Sequence, residues 1–146
     1  MPSPRTLRQL VDEGAIETRA VGQQQIAHWL SRSRKDLRLA AHASRTGDSE
    51  RAMTIAYEAG LRACIAILAA AGYRLRSGEG HHRAALDGAV TIAGSGVEVD
   101  ISRLNDARRQ RNESLYATSR PVGAEELKRL VASVEALIKR AQAGRS

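Results

Sequence analysis

The chain has 146 residues, enough for one domain and too few for two sizeable cores. Its 42% hydrophobic and 27% charged residues make a globular balance and exclude a disordered chain. The charge is lopsided: 23 Lys plus Arg, 20 of them Arg, face 16 Asp plus Glu for a net +7. That excess fits a polyanionic partner such as nucleic acid, and fits equally an arginine-rich, GC-coded composition.

The pattern is helical nearly throughout. Ser3-Pro4 reads as an N-cap with Pro at the first helical position, opening a short helix through Leu7, Leu10 and Val11 that Gly14 ends. Residues 1–22 are therefore a short N-terminal helix and linker, and residues 23–146 the helical domain. A second helix is predicted from about Gln23 to Ser44, where Ile26, Trp29, Leu30, Leu37, Ala40 and Ala41 recur at helical spacing. Arg32, Arg34, Lys35 and Arg38 lie mostly off that stripe, as a solvated face. Thr46-Gly47-Asp48 is a turn, with Asp48 the next N-cap. The third helix, about Ser49 to Tyr73, is apolar over most of its circumference and is expected at the centre. Arg74 to Gly80 breaks the pattern and His81 to Ile92 resumes it. A fifth helix is predicted over about Glu98 to Thr118, a linker over Arg120 to Gly123, and a final amphipathic helix over Ala124 to Ala143. Strand alternation shows only over Val97 to Ile101, ambiguously. The fold class predicted is an all-α bundle of four main helices with short extras.

Other counts exclude particular functions. With no Phe, one Trp and three Tyr, base-stacking platforms of the RRM or OB type are not expected. The lone Cys64 forms no internal disulfide and reads as core; no paired Cys/His spacing suggests a metal site, and no cofactor is expected. The run Ala63 to Gly72 is short for a membrane span, and Met-Pro-Ser-Pro-Arg has no apolar signal core behind it. A soluble, reduced, cytoplasmic protein with no membrane contact is the expectation.

The chemistry concentrates in the final third. Residues 101–146 hold ten Lys/Arg against five Asp/Glu, carrying +5 of the net charge. Projected at about 100° per residue, Val97, Ile101, Leu104 and Leu115 share one face of the fifth helix. Arg108 and Arg111 fall on that same face, with Asn112 beside them and Tyr116 one turn on. Guanidiniums continuing an apolar stripe require an anion, an acidic partner or a wet cleft, because an isolated buried charge is costly. Arg109 reads as ordinary surface. Glu58, beside the stripe of the central helix, is a candidate to orient the arginines. His81 and His82 open a helix after Gly78-Glu79-Gly80, where His82 is a candidate substrate contact and capping is the alternative.

Arg111-Asn112, three intervening residues and Tyr116, late in an amphipathic helix, resemble the Arg-x4-6-His motif of HEPN domains, usually Arg-Asn-x-x-x-His. The segment from Tyr57 through Gly72-Tyr73, followed by His81-His82, is similar to that superfamily's central helix and the His-containing helix after it. The similarity covers roughly Gln23 to Ala143. It implies a four- to five-helix HEPN-like bundle that dimerises with two motif helices facing across a cleft, and in many members a metal-independent ribonuclease site. Many bacterial members are toxins held by a nucleotidyltransferase or DNA-binding antitoxin.

By that resemblance Arg111, Asn112 and Tyr116 are the catalytic candidates and Arg108 contacts substrate; Glu58 and His82, read from their own positions, complete the candidate substrate contacts. Arg111 would polarise the phosphate while the ribose 2′-hydroxyl attacks. Asn112 would orient Arg111, and Arg108 would add charge. The motif's His position holds Tyr116, whose phenol, with a pKa near about 10, is a poor general base at neutral pH. It could position phosphate, donate a proton or be adenylylated by an antitoxin partner. Two functions follow: an RNA-cleaving effector with a composite site across a homodimer, or a non-catalytic module that binds a nucleotide, nucleic acid or antitoxin.

Overall fold

The computed structural model describes residues 3–78, 80–115 and 121–144, with only the backbone of 113–115. In chain order the elements are α1 (Leu7–Asp12), β1 (Ile16–Thr18), α2 (Gln23–Arg45), α3 (Ser49–Ala70), β2 (Tyr73–Leu75), α4 (His81–Ala93), a 3₁₀ turn (Gly94–Val97), α5 (Glu98–Leu115) and α6 (Ala124–Ala143). The result is an all-α bundle with one small two-stranded ladder.

The bundle is built around α3. Alanines and aliphatics cover most of its circumference and leave only a narrow polar stripe through Glu50, Arg51, Thr54, Glu58 and Arg62, and α2, α4, α5 and α6 all pack against it. By length and composition α3 could cross a membrane, and 72% of that apolar window is buried inside the bundle. Small residues set how closely its neighbours approach. A Cβ added at Gly60 would lie 2.6 Å from Leu104 Cδ1 on α5 and 3.1 Å from Val134 Cγ2 on α6, so this glycine fixes where both helices sit.

Several local expectations need correction. The N-cap of α1 is Thr6, not Ser3: its hydroxyl accepts from the Gln9 amide at 3.1 Å, while Gln9 Oε1 accepts from the Thr6 amide at 2.8 Å. That reciprocal pair satisfies two orphan amides and outweighs the Pro4 signal. The chain after α1 is more than a linker, because Ile16–Thr18 pairs antiparallel with Tyr73–Leu75, Ile16 opposite Leu75. Accordingly α3 stops at Ala70. Gly72, at φ +92°, turns the chain so that Tyr73 enters the strand. Val97 to Ile101, for all its alternation, ends a 3₁₀ turn and opens α5.

On α2 the buried stripe is Ile26, Leu30, Ser33, Asp36, Ala40 and Ala43, and Ala41 faces water. Two polar residues occupy the middle of that stripe because each is satisfied there. Ser33 Oγ donates to the Ala59 carbonyl at 2.9 Å, and Asp36 pairs with Arg62 of α3 and, at 3.6 Å, with Arg32. The α5 stripe Val97, Ile101 and Leu104 is buried as projected, joined by Asn105, Ala107 and Gln110.

Candidate functional site

Burial of Ile101 and Leu104 fixes the rotation of α5, and one to two turns later the same face must carry Arg108 and Arg111. Both are half-buried. Arg108 Nε donates to Asn105 Oδ1 at 3.0 Å. The Arg111 guanidinium carbon stands 5.8 Å from the ring centroid of Tyr57, in cation–π range. Among the described residues neither arginine forms an ion pair with a carboxylate. Their neighbour Arg109 does, with Asp106 at the surface.

Tyr57 lies on α3 and is fully buried, its hydroxyl 2.9 Å from Nδ1 of His82 in the first turn of α4. The two rings are 5.8 Å apart and tilted by 41°. His81 stacks edge-on against His82 at 4.4 Å and donates from its own Nδ1 to the Gly78 carbonyl at 2.6 Å. Three helices thus bring one phenol, two imidazoles and two guanidiniums together at one end of α5.

The electrostatics follow from burial and like charge. Burial pushes the Tyr57 phenol well above its ordinary range, against the opposing pull of Arg108 and Arg111, so it keeps its proton. Burial likewise lowers His82, and the nearby His81, Arg111 and Arg108 lower it further, which favours the neutral imidazole. Fixed positive charge beside neutral hydrogen-bonding groups suits an oxyanion. No three His, Cys, Asp or Glu side chains converge on a metal position among the described residues.

Of the residues singled out in the sequence, Arg108, Arg111 and His82 come together. Asn112 is exposed on the next position of the helix. Tyr116 lies outside the described residues. Glu58 does not act as counter-ion to the arginines among the described residues; it lines a concavity with Asp48, Glu50, Arg51, Thr54 and Ile55. The reason is helical geometry, since Tyr57 is turned toward α5 and the following residue points about 100° away. Sequence reasoning placed Tyr57 in the apolar stripe of α3 and assigned Asn105 no role. One signal was available for Tyr57, the polar tip on an otherwise aliphatic stripe, because a buried hydroxyl needs a partner. No protein-family model and no curated protein matches the chain.

Proposed function

We propose that this chain is a HEPN-like helical module that holds single-stranded RNA by its phosphodiester backbone at the Arg108–Arg111 end of α5. The observation that carries this reading is the pair of half-buried guanidiniums one turn apart, without a carboxylate partner among the described residues. Two such charges repel each other and favour any anion that can bridge them. A phosphate group, like a carboxylate, matches the planar N–H fork of arginine bidentately.

Binding, more than cutting, is what the geometry supports. The phenol and the imidazole beside the arginines are engaged with each other, and neither is poised as a base. The metal-independent ribonuclease of the resemblance is then an outcome of the test. So is adenylylation at Tyr116 by a nucleotidyltransferase antitoxin, and so is a toxin–antitoxin setting in general. For a homodimer with facing α5 helices, support comes from Val99, 62% exposed in the first turn of α5. Light scattering of wild type and Val99→Asp tests it.

The decisive experiment is fluorescence anisotropy of a labelled single-stranded RNA titrated at several salt concentrations. Arg111→Ala and Arg108→Ala should each weaken binding and lower the salt slope by about 0.7 per lost phosphate contact. Arg109→Ala, already neutralised by Asp106, should change neither. Equal binding by wild type and the Arg108→Ala/Arg111→Ala double variant would remove the proposal. The same samples, incubated with chelator, report cleavage: fragments with 2′,3′-cyclic phosphate ends that vanish in Arg111→Ala would establish the nuclease.

A further inference from the structure

We infer that Tyr57 holds His82 in the tautomer with its proton on Nε2, so that the imidazole serves the phosphate site as an N–H donor beside Arg108 and Arg111 and not as its base. This rests on reading the cluster as a phosphate site and assigns the role of one residue within it.

The argument is one of donors and acceptors. Tyr57 is buried and keeps its phenolic proton, so its O–H needs an acceptor. The ring nitrogen 2.9 Å away is its hydrogen-bond partner among the described residues. The other close polar group, the Arg111 guanidinium, has no lone pair to offer. Among the described residues no buried side-chain nitrogen or oxygen lacks a partner. Reversing the bond, with Nδ1–H donating to the phenol, would leave the O–H buried and unmatched. Nδ1 therefore accepts, and a neutral imidazole whose Nδ1 accepts carries its proton on Nε2.

The groups that face His82 hold it there. Tyr57 comes from α3, His81 is its neighbour on α4, and Arg108 and Arg111 come from α5. None is an acid that would stabilise an imidazolium. Nε2 makes no hydrogen bond among the described residues and is not a buried, unmatched atom, so it reaches solvent on a ring that lies within the electrostatic reach of Arg108 and Arg111. A base that removes a proton from a ribose 2′-hydroxyl needs a lone pair on its outward nitrogen. Here that nitrogen carries a hydrogen. What it offers is a third, uncharged donor to a phosphate oxygen, and Tyr57 is the residue that positions it.

The test uses the full chain and a labelled single-stranded RNA of mixed sequence. Long-range proton–nitrogen correlation spectra of the histidine rings, with His82 assigned by its loss in His82→Gln, should show a pyrrole-type Nε2 and a pyridine-type Nδ1. Tyr57→Phe, which removes the donor to Nδ1, should release that preference into a tautomer mixture. In RNA titrations His82→Ala should weaken binding about tenfold or more, the loss expected for a hydrogen bond to a charged group. His82→Gln, which keeps an N–H donor and no imidazole, should recover most of that loss, as a base could not.

A proton found on Nδ1 in wild type that binds RNA overturns the inference and leaves the RNA reading standing. So does a Gln variant that folds and binds no better than Ala. Wild type that shows Nε2–H but binds no RNA overturns the phosphate-site reading instead, and the donor role with it. Should His82→Ala fail to fold by circular dichroism, the wild-type spectrum and His82→Gln decide.

Discussion

The Tyr57 hydroxyl and the Nδ1 of His82, 2.9 Å apart, tie the middle of α3 to the first turn of α4. The bond binds two elements separated by a strand and a loop, and it places a titratable ring in the fold at a point where protonation is opposed. Stability should therefore depend on pH through this residue. His82 titrates lower in the folded chain than in the unfolded one, where its value is near about 6.5. Below that value the unfolded state binds the extra proton, so the contribution is whole above it. It is lost progressively as pH falls toward the folded value. Thermal melts from pH 8 to pH 5 should show a steeper fall for wild type than for His82→Gln, which has no proton to gain. Parallel curves would contradict this.

Gly60→Ala tests how tightly α5 is seated. The new methyl meets Leu104, which is fully buried and has little room to move, and Val134 as well. Relief of glycine's helix penalty, about 1 kcal/mol, is outweighed by overpacking of about 1–3 kcal/mol. The net expectation is a modest loss of stability by denaturant titration. Leu104→Ala made in the Gly60→Ala background should cost less than Leu104→Ala alone, because the two share one space. Additive costs would show that the methyl is accommodated elsewhere.

Asp87 governs the start of the chain. It accepts from Arg5 Nε at 2.8 Å and lies 3.7 Å from Arg83 Nε, while Arg5 also pairs with Glu13 and offers its carbonyl to Thr91. Asp87→Ala should lower stability by about 1.5–3 kcal/mol, the range for hydrogen bonds to charged groups. Hydrogen exchange should rise in α1 before the rest of the bundle. Uniform acceleration across all helices would mean that Asp87 supports the whole core and not the N-terminal segment.

Cys64 is fully buried on α3, and that burial pushes its thiol up to about 12. Thiol reagents react through the thiolate, so native protein should label only as fast as it opens. Labelling rates measured across denaturant should extrapolate to the global unfolding free energy. Fast labelling in native buffer would place Cys64 in a region that opens locally.

Much of this architecture is legible in the chain because helices are specified locally. The spacing of Leu127, Leu130, Val134, Leu137 and Ile138 gives α6 its limits, and Asp48 marks the start of α3. What escapes periodicity is decided at a distance. Ser33 and Asp36 are buried because Ala59 and Arg62 await them on another helix, and no apolar count reveals that. The short strands carry no alternation worth detecting, since each is defined by the other. At the site, the arginines stand out by interrupting an apolar face. The partnership of Tyr57 with His82 depends on how α3 and α4 cross, and the sequence shows only that a buried phenol needs some partner.

The ladder between Ile16–Thr18 and Tyr73–Leu75 has a consequence for the order of assembly. Arg19 N–H bonds the Gly72 carbonyl and Arg76 N–H bonds the Ala15 carbonyl, so each end of the ladder is closed by main-chain bonds just outside it. The first strand is separated from its mate by the whole of α2 and α3, so their pairing is long-range and forms more slowly than the helices between them. The stretch it then captures leads directly into His81 and His82. The helices can wind locally with this stretch still untethered, and the ladder then fixes the segment that leads into α4.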